Sequence, residues 1–102
     1  MQYSEPLGSP RVGLLTLSLR LPGCRSLKEK RSLIRRLMAR MGEDNLSVGE
    51  VGAGDRTDAA TLACAAVSSS WEGTEKRLSG ARRIADRTFG VQMLEGRIER
   101  LL

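Results

Sequence analysis

At 102 residues, the chain fits one domain with a modest core, burying roughly two-thirds of the surface its unfolded form exposes. Apolar residues at 40% and charged residues at 28% exclude an intrinsically disordered chain, and no apolar run approaches the ~18 to 20 residues that cross a bilayer. A net charge of +5 points to anionic partners, while the absence of histidine removes the usual general base, the Ser-His and Cys-His nucleophile pairs and the His-containing zinc sites.

The opening MQYSEPLGSP has two prolines and a glycine, and neither a basic n-region nor an apolar h-region. It reads as a flexible extension over residues 1–10, followed by a single domain over 11–102, and a cytoplasmic location is the expectation. In residues 12–21, VGLLTLSLRL, Leu15, Leu17, Leu19 and Leu21 alternate with Thr16, Ser18 and Arg20. That period of two predicts a half-buried strand, stopped by Pro22 and Gly23. Ser26 and Glu29 have the capping-box spacing, so a helix begins there and runs to about Met41, before Gly42.

On that helix Leu27, Leu33, Ile34, Leu37, Met38 and Met41 form one broad face, Lys28, Arg31, Arg35, Arg36 and Arg40 spread over the other, and Lys30 lies close to the apolar edge. LSVGEV (46–51) and ATLACAAVS (60–68) read as two strands joined by GAGDRTD. A second helix is expected from about Ser70 to Thr88, with Trp71, Leu78, Ala81, Ala85 and Phe89 as its inner stripe. VQMLEGRIERLL (91–102) closes the chain as a strand anchored by Ile98 and Leu101.

The order strand, helix, strand, strand, helix, strand is the split βαβ arrangement of an α+β, ferredoxin-like βαββαβ sandwich. Right-handed crossovers place both helices on one face of a four-stranded antiparallel sheet and leave the other face open. Val12 and Leu14 would lie on that open face and offer an apolar patch for self-association.

Residues 25–41 carry seven positive charges and one negative, for +6, and residues 70–88 carry +2, which leaves −3 for the rest of the chain. An ordinary surface helix mixes signs to gain i,i+4 pairs. Seven to one exceeds ordinary solvation and marks Arg25, Lys28, Arg31, Arg35, Arg36 and Arg40 as candidates for binding RNA or another polyanion. The helix start is not a nucleotide-binding loop, because the Gly-Lys-Ser/Thr triplet is missing, and capping alone accounts for Ser26 and Glu29.

Cys24 stands at that same helix start, where neighbouring cations lower a thiol pKa, but catalytic partners are absent and a structural or incidental cysteine is expected. Cys24 and Cys64 show no metal-type or redox-type spacing. Glu50, Asp55 and Asp58 lack the later ligands of a calcium loop. Neither a metal, nor a cofactor, nor a catalytic residue is expected. The first and third strands also lack the aromatic residues with which an RNA-recognition motif stacks bases, so any RNA contact falls to phosphates on the helical side.

The stretch VGLLTLSLRLPGCRSLKEKRSLIRRL, with LSVGEV and ATLACAAVS, resembles the YlxP-like family of small bacterial proteins, a domain of unknown function, over residues 12 to about 102. SLKEKR, Ser26 to Arg31, is the most specific piece. The resemblance implies a ferredoxin-like fold, an uncharacterised activity and genes placed among those for translation initiation and ribosome maturation, and it supplies no catalytic residue. Where members carry Trp-Gln-Arg or Trp-Gln-Lys before the Ala-Thr-Leu of the third strand, this chain has Thr57, Asp58 and Ala59 before Ala60, Thr61 and Leu62, so no role for the 53–59 loop carries over.

The sequence therefore leads to a non-enzymatic cytoplasmic protein that docks on structured RNA or a ribosomal particle through its first helix. The alternative is a homodimeric interaction module that uses the open sheet face.

Overall fold

A computed structural model describes residues 8–102. Most of the extension expected over residues 1–10 lies outside the described residues. The elements are β1 (Arg11–Arg20), α1 (Leu27–Met41), a 3₁₀ turn (Gly42–Asp44), β2 (Ser47–Gly52), β3 (Ala59–Ser68), α2 (Trp71–Arg87) and β4 (Gln92–Arg100). Sheet order is β2-β3-β1-β4 with every neighbouring pair antiparallel, and the two helices complete the expected α+β ferredoxin-like arrangement.

The leucine alternation of β1 positions the core. Leu15, Leu17, Leu19 and Leu21 are at most 1% exposed, and opposite them Ala60, Leu62, Cys64 and Ala66 of β3 are buried on the same face. Small residues on β3 and Gly13 on β1 let the helices come close. A Cβ at Gly13 would stand 2.9 Å from both Leu78 Cδ1 and Thr74 Cγ2 of α2. β1 accordingly makes its closest approach to α2, and Leu17 of β1 and Ile34 of α1 both belong to the buried cluster.

Both helices start on serine caps. Ser26 Oγ accepts from Glu29 N at 3.1 Å and Ser70 Oγ accepts from Gly73 N at 3.1 Å, each cap residue being in extended backbone. Glu29 reaches back as a capping box requires, but one residue further than usual, to Arg25 N at 3.2 Å.

The inner stripe expected for α2 needs correction at both ends. Leu78, Ala81 and Ala85 are buried, with Thr74 among them. Trp71 is only half-buried, its ring covered by the Arg100 guanidinium at 4.8 Å. Phe89 is 98% exposed, because the helix ends at Arg87 and Thr88 leaves helical backbone (φ −81°, ψ 126°). Helical periodicity therefore no longer governs where residue 89 points.

In β4 Ile98 packs against the core, but Leu101, the other expected anchor, is 57% exposed. It lies past the strand's end, and its amide donates to Val12 O at 2.8 Å, which ties it to the sheet without covering its side chain. Extra residues at Val51 and Leu94 shift the registers of β2 and β4 and leave both side chains exposed.

Candidate functional site

Periodicity alone distributes the cations of α1 into two rows. Lys28, Arg31 and Arg35 follow an i, i+3, i+7 spacing along one ridge, and Arg36 and Arg40 follow an i, i+4 spacing along the next. All five are exposed, as is Arg25 ahead of the cap. Among the described residues the ion pairs are Lys30–Glu50, Arg56–Asp58, Arg97–Glu99 and Arg100–Glu75. The six cations marked in the sequence are thus exposed together, and none of them is in an ion pair among the described residues.

Lys30 leaves that group. It is 2% exposed, and its ammonium donates to Ala53 O at 2.6 Å and Arg56 O at 2.8 Å while lying 3.2 Å from Glu50 Oε2. Its position at the edge of the apolar face sends it inward to hold the β2–β3 loop. In that loop the Arg56 guanidinium hydrogen-bonds Asp58 at 3.0 Å and holds its carboxyl below the usual carboxylate range. The carboxylates of Glu50 and Asp58 are thereby engaged with cations of the chain itself, and no group of three or more metal-ligating side chains occurs among the described residues.

A groove runs between α1 and the α2–β4 turn. One part of about 440 Å³ includes Lys28, Leu33, Arg36 and Phe89 in its lining, and an adjoining part of about 340 Å³ includes Arg36, Arg40, Thr88 and Phe89. The turn that carries Phe89 is well held. Val91 N donates to Thr88 O at 3.2 Å, Thr88 Oγ1 donates to Ile84 O at 2.6 Å, and Gly90 takes φ +87°. A closed four-residue turn with positive φ at its third residue has the form of a type II turn, in which Phe89 occupies the tip. Sequence reasoning placed Phe89 inside. The Thr-Phe-Gly-Val stretch, with glycine in the position that a type II turn requires, was the signal for the opposite outcome.

Cys24 also lines this groove, but its thiol is not activated. Partial burial, and then the neighbouring Glu29 carboxylate, push its pKa up, and the opposing effect of Lys30 is smaller. Burial pushes the Cys64 thiol up to about 11. Both cysteines are free.

On the open sheet face Val12 and Leu14 are half-buried and stand opposite Val67 and Ala65 of β3. Thr16, Ser18, Thr61 and Ala63 continue the surface, so β1 and β3 present no charge there until Arg20. Arg97 and Glu99 of β4 pair at 3.4 Å along one border.

Residues 12–98 match the model of a family described as "Protein of unknown function (DUF503)". The chain belongs to this family. No curated protein matches the DUF503 chain. Designed proteins are among the solved structures that it matches. "De novo designed protein Ferredog-Diesel" has a TM-score of 0.53 at 15% identity, covering 97% of this chain and 95% of its own. "De novo designed protein Foldit4" has a TM-score of 0.51 at 15% identity, covering 86% and 96%. Similarity at that identity speaks for the fold of this DUF503 member and for nothing else. No helix among the described residues is long and apolar enough to cross a membrane.

Proposed function

We propose that this protein is a non-enzymatic, cytoplasmic RNA-binding protein that docks on structured RNA through the exposed face of α1. The observation that carries the reading is the set of six exposed cations, Arg25, Lys28, Arg31, Arg35, Arg36 and Arg40, none of which is in an ion pair among the described residues. Mixed signs at i,i+4 are the usual arrangement on a surface helix, and a helix that omits them keeps its positive field available for phosphates. The resemblance to the bacterial YlxP-like family, with genes among those for translation initiation and ribosome maturation, makes ribosomal RNA the first candidate. Binding rather than covalent chemistry suits the site, because burial and the Glu29 carboxylate raise the pKa of the groove thiol and the chain holds no histidine.

The test is a pull-down from a native bacterial lysate with and without nuclease. Capture of ribosomal particles that disappears after nuclease supports the reading, and capture of proteins alone, unchanged by nuclease, overturns it.

A second reading rests on the uncharged open face around Val12, Leu14, Ala65 and Val67. A flat apolar sheet surface of this kind serves a homodimer, each copy covering the other's strands.

A further inference from the structure

An aromatic ring that is 98% exposed on a hydrogen-bonded turn is unusual in a chain with only three aromatic residues. Scattered apolar residues on a surface need no explanation, but Phe89 is not scattered. It borders both parts of the groove against α1, whose lining supplies Leu33 as an apolar floor and Lys28, Arg36 and Arg40 as cations. Gly90 brings the turn against the helix, since a Cβ there would stand 3.7 Å from Leu33 Cδ2. The ring is thus held beside the row Arg36–Arg40 by a turn whose backbone is already closed.

We propose that Phe89 is a stacking platform for an unpaired nucleotide of the RNA, with the base on the ring and its flanking phosphates on Arg36, Arg40 and Lys28. The proposal deepens the RNA-binding reading and rests on it. Two features of the groove favour this occupant over a purely apolar one. Cations line both parts, which suits a ligand that carries a negative charge beside every flat ring. The ring is 98% exposed at the border of the groove, which suits a base that is swung out of a loop or bulge. The sheet of this protein has no ring on its central strands, so the base contact moves to the helical side, where the phosphates are held.

The experiment measures binding of a fluorescein-labelled single-stranded oligouridine of about ten nucleotides and of a duplex RNA of similar length. Both are titrated with the wild-type chain and with Phe89→Ala, Phe89→Leu and Phe89→Tyr. Because the side chain is exposed, all three variants keep the parent's melting temperature. Phe89→Ala weakens single-strand binding roughly 5- to 100-fold and changes duplex binding by less than about twofold. Phe89→Tyr retains single-strand affinity, whereas Phe89→Leu does not. Unchanged single-strand affinity in Phe89→Ala, equal losses on both RNAs, or full rescue by leucine would each overturn the stacking platform and leave the phosphate-binding face standing. A wild-type chain that binds neither RNA overturns both.

Discussion

The Lys30 ammonium lies 2.6 Å from the carbonyl oxygen of Ala53, a residue held at a φ of +61°. A non-glycine residue in that left-handed region costs about 1 to 2 kcal/mol, and it persists where the surroundings determine the backbone. Lys30 supplies that constraint through two carbonyls and the Glu50 carboxylate. Lys30→Met therefore removes the donor while keeping the stem, and it should cost about 1.5 to 3 kcal/mol. Urea denaturation gives the loss, and hydrogen exchange should show faster opening of the 53–58 amides. A loss below about 0.5 kcal/mol would mean that the loop holds itself.

Gly13 meets α2 without a side chain. Gly13→Ala places a methyl 2.9 Å from Leu78 Cδ1 and Thr74 Cγ2, both on residues with 0% exposure. Overpacking of this kind costs about 1 to 3 kcal/mol, a large share of the stability of a small domain. Thermal melting checks it. An alanine variant at least as stable as the parent would show that α2 can shift away from β1 at no cost.

The alternation of β1, the Ser26 cap, the start of α2 near Ser70 and the order of elements were legible in the sequence because each depends on local backbone chemistry. What the sequence hid depends on where elements stop. Helical spacing carried past Arg87 sent Phe89 inward, and Leu101 was counted as an anchor for being apolar, although it lies past the end of β4 at Arg100 and a period of two puts it on the face opposite Ile98. Lys30 was visible only as a residue at the edge of the apolar face. Whether an edge lysine snorkels outward or turns inward is decided by carbonyls 23 and 26 residues away, which no local pattern contains. The SLKEKR stretch is also clearer in three dimensions. Ser26 caps the helix, Glu29 ties back to Arg25, and Lys30 holds the distant loop, so much of its specificity is architectural.

Burial pushes the Cys64 thiol from the ordinary value of 9.0 up to about 11. A raised pKa means that between those values the unfolded chain has released a proton that the native chain still holds. The contribution to stability is intact below pH 9 and is lost as pH rises toward about 11. Cys64→Ala removes this component. The variant should lose less stability between pH 9 and 11 than the parent, read as the midpoint of urea unfolding at each pH. Parallel curves for the two proteins would place the alkaline loss on other groups.

The open face predicts self-association. Replacing Leu14, which stands between Ala65 and Glu99, with lysine puts a charge on the apolar part of that face without touching the core. Light scattering on the parent should show a mass that rises with concentration toward twice the monomer, and Leu14→Lys should abolish the rise. A parent that stays monomeric at high concentration eliminates the homodimer and leaves the helical side as the interaction surface.

The cations of α1 give the sharpest functional expectation. Each phosphate that a cation neutralises releases condensed counterion, so log K falls with log salt by about 0.7 per contact on single strands and about 0.9 on B-form duplex. Arg31, Arg35, Arg36 and Arg40 span both rows, and four contacts correspond to a slope of roughly −3. Replacing all four with glutamine keeps helix propensity and most of the aliphatic stem. None of the four is in an ion pair among the described residues, so folding should be little changed. Affinity should fall on every RNA alike and the slope should flatten by roughly 3, to the part that Arg25 and Lys28 carry. This signature separates phosphate contacts from the Phe89 contribution, which changes affinity for unpaired RNA at constant slope. A quadruple variant that remains folded and binds ribosomal RNA with unchanged affinity and slope would reduce these arginines to a solvated helix surface.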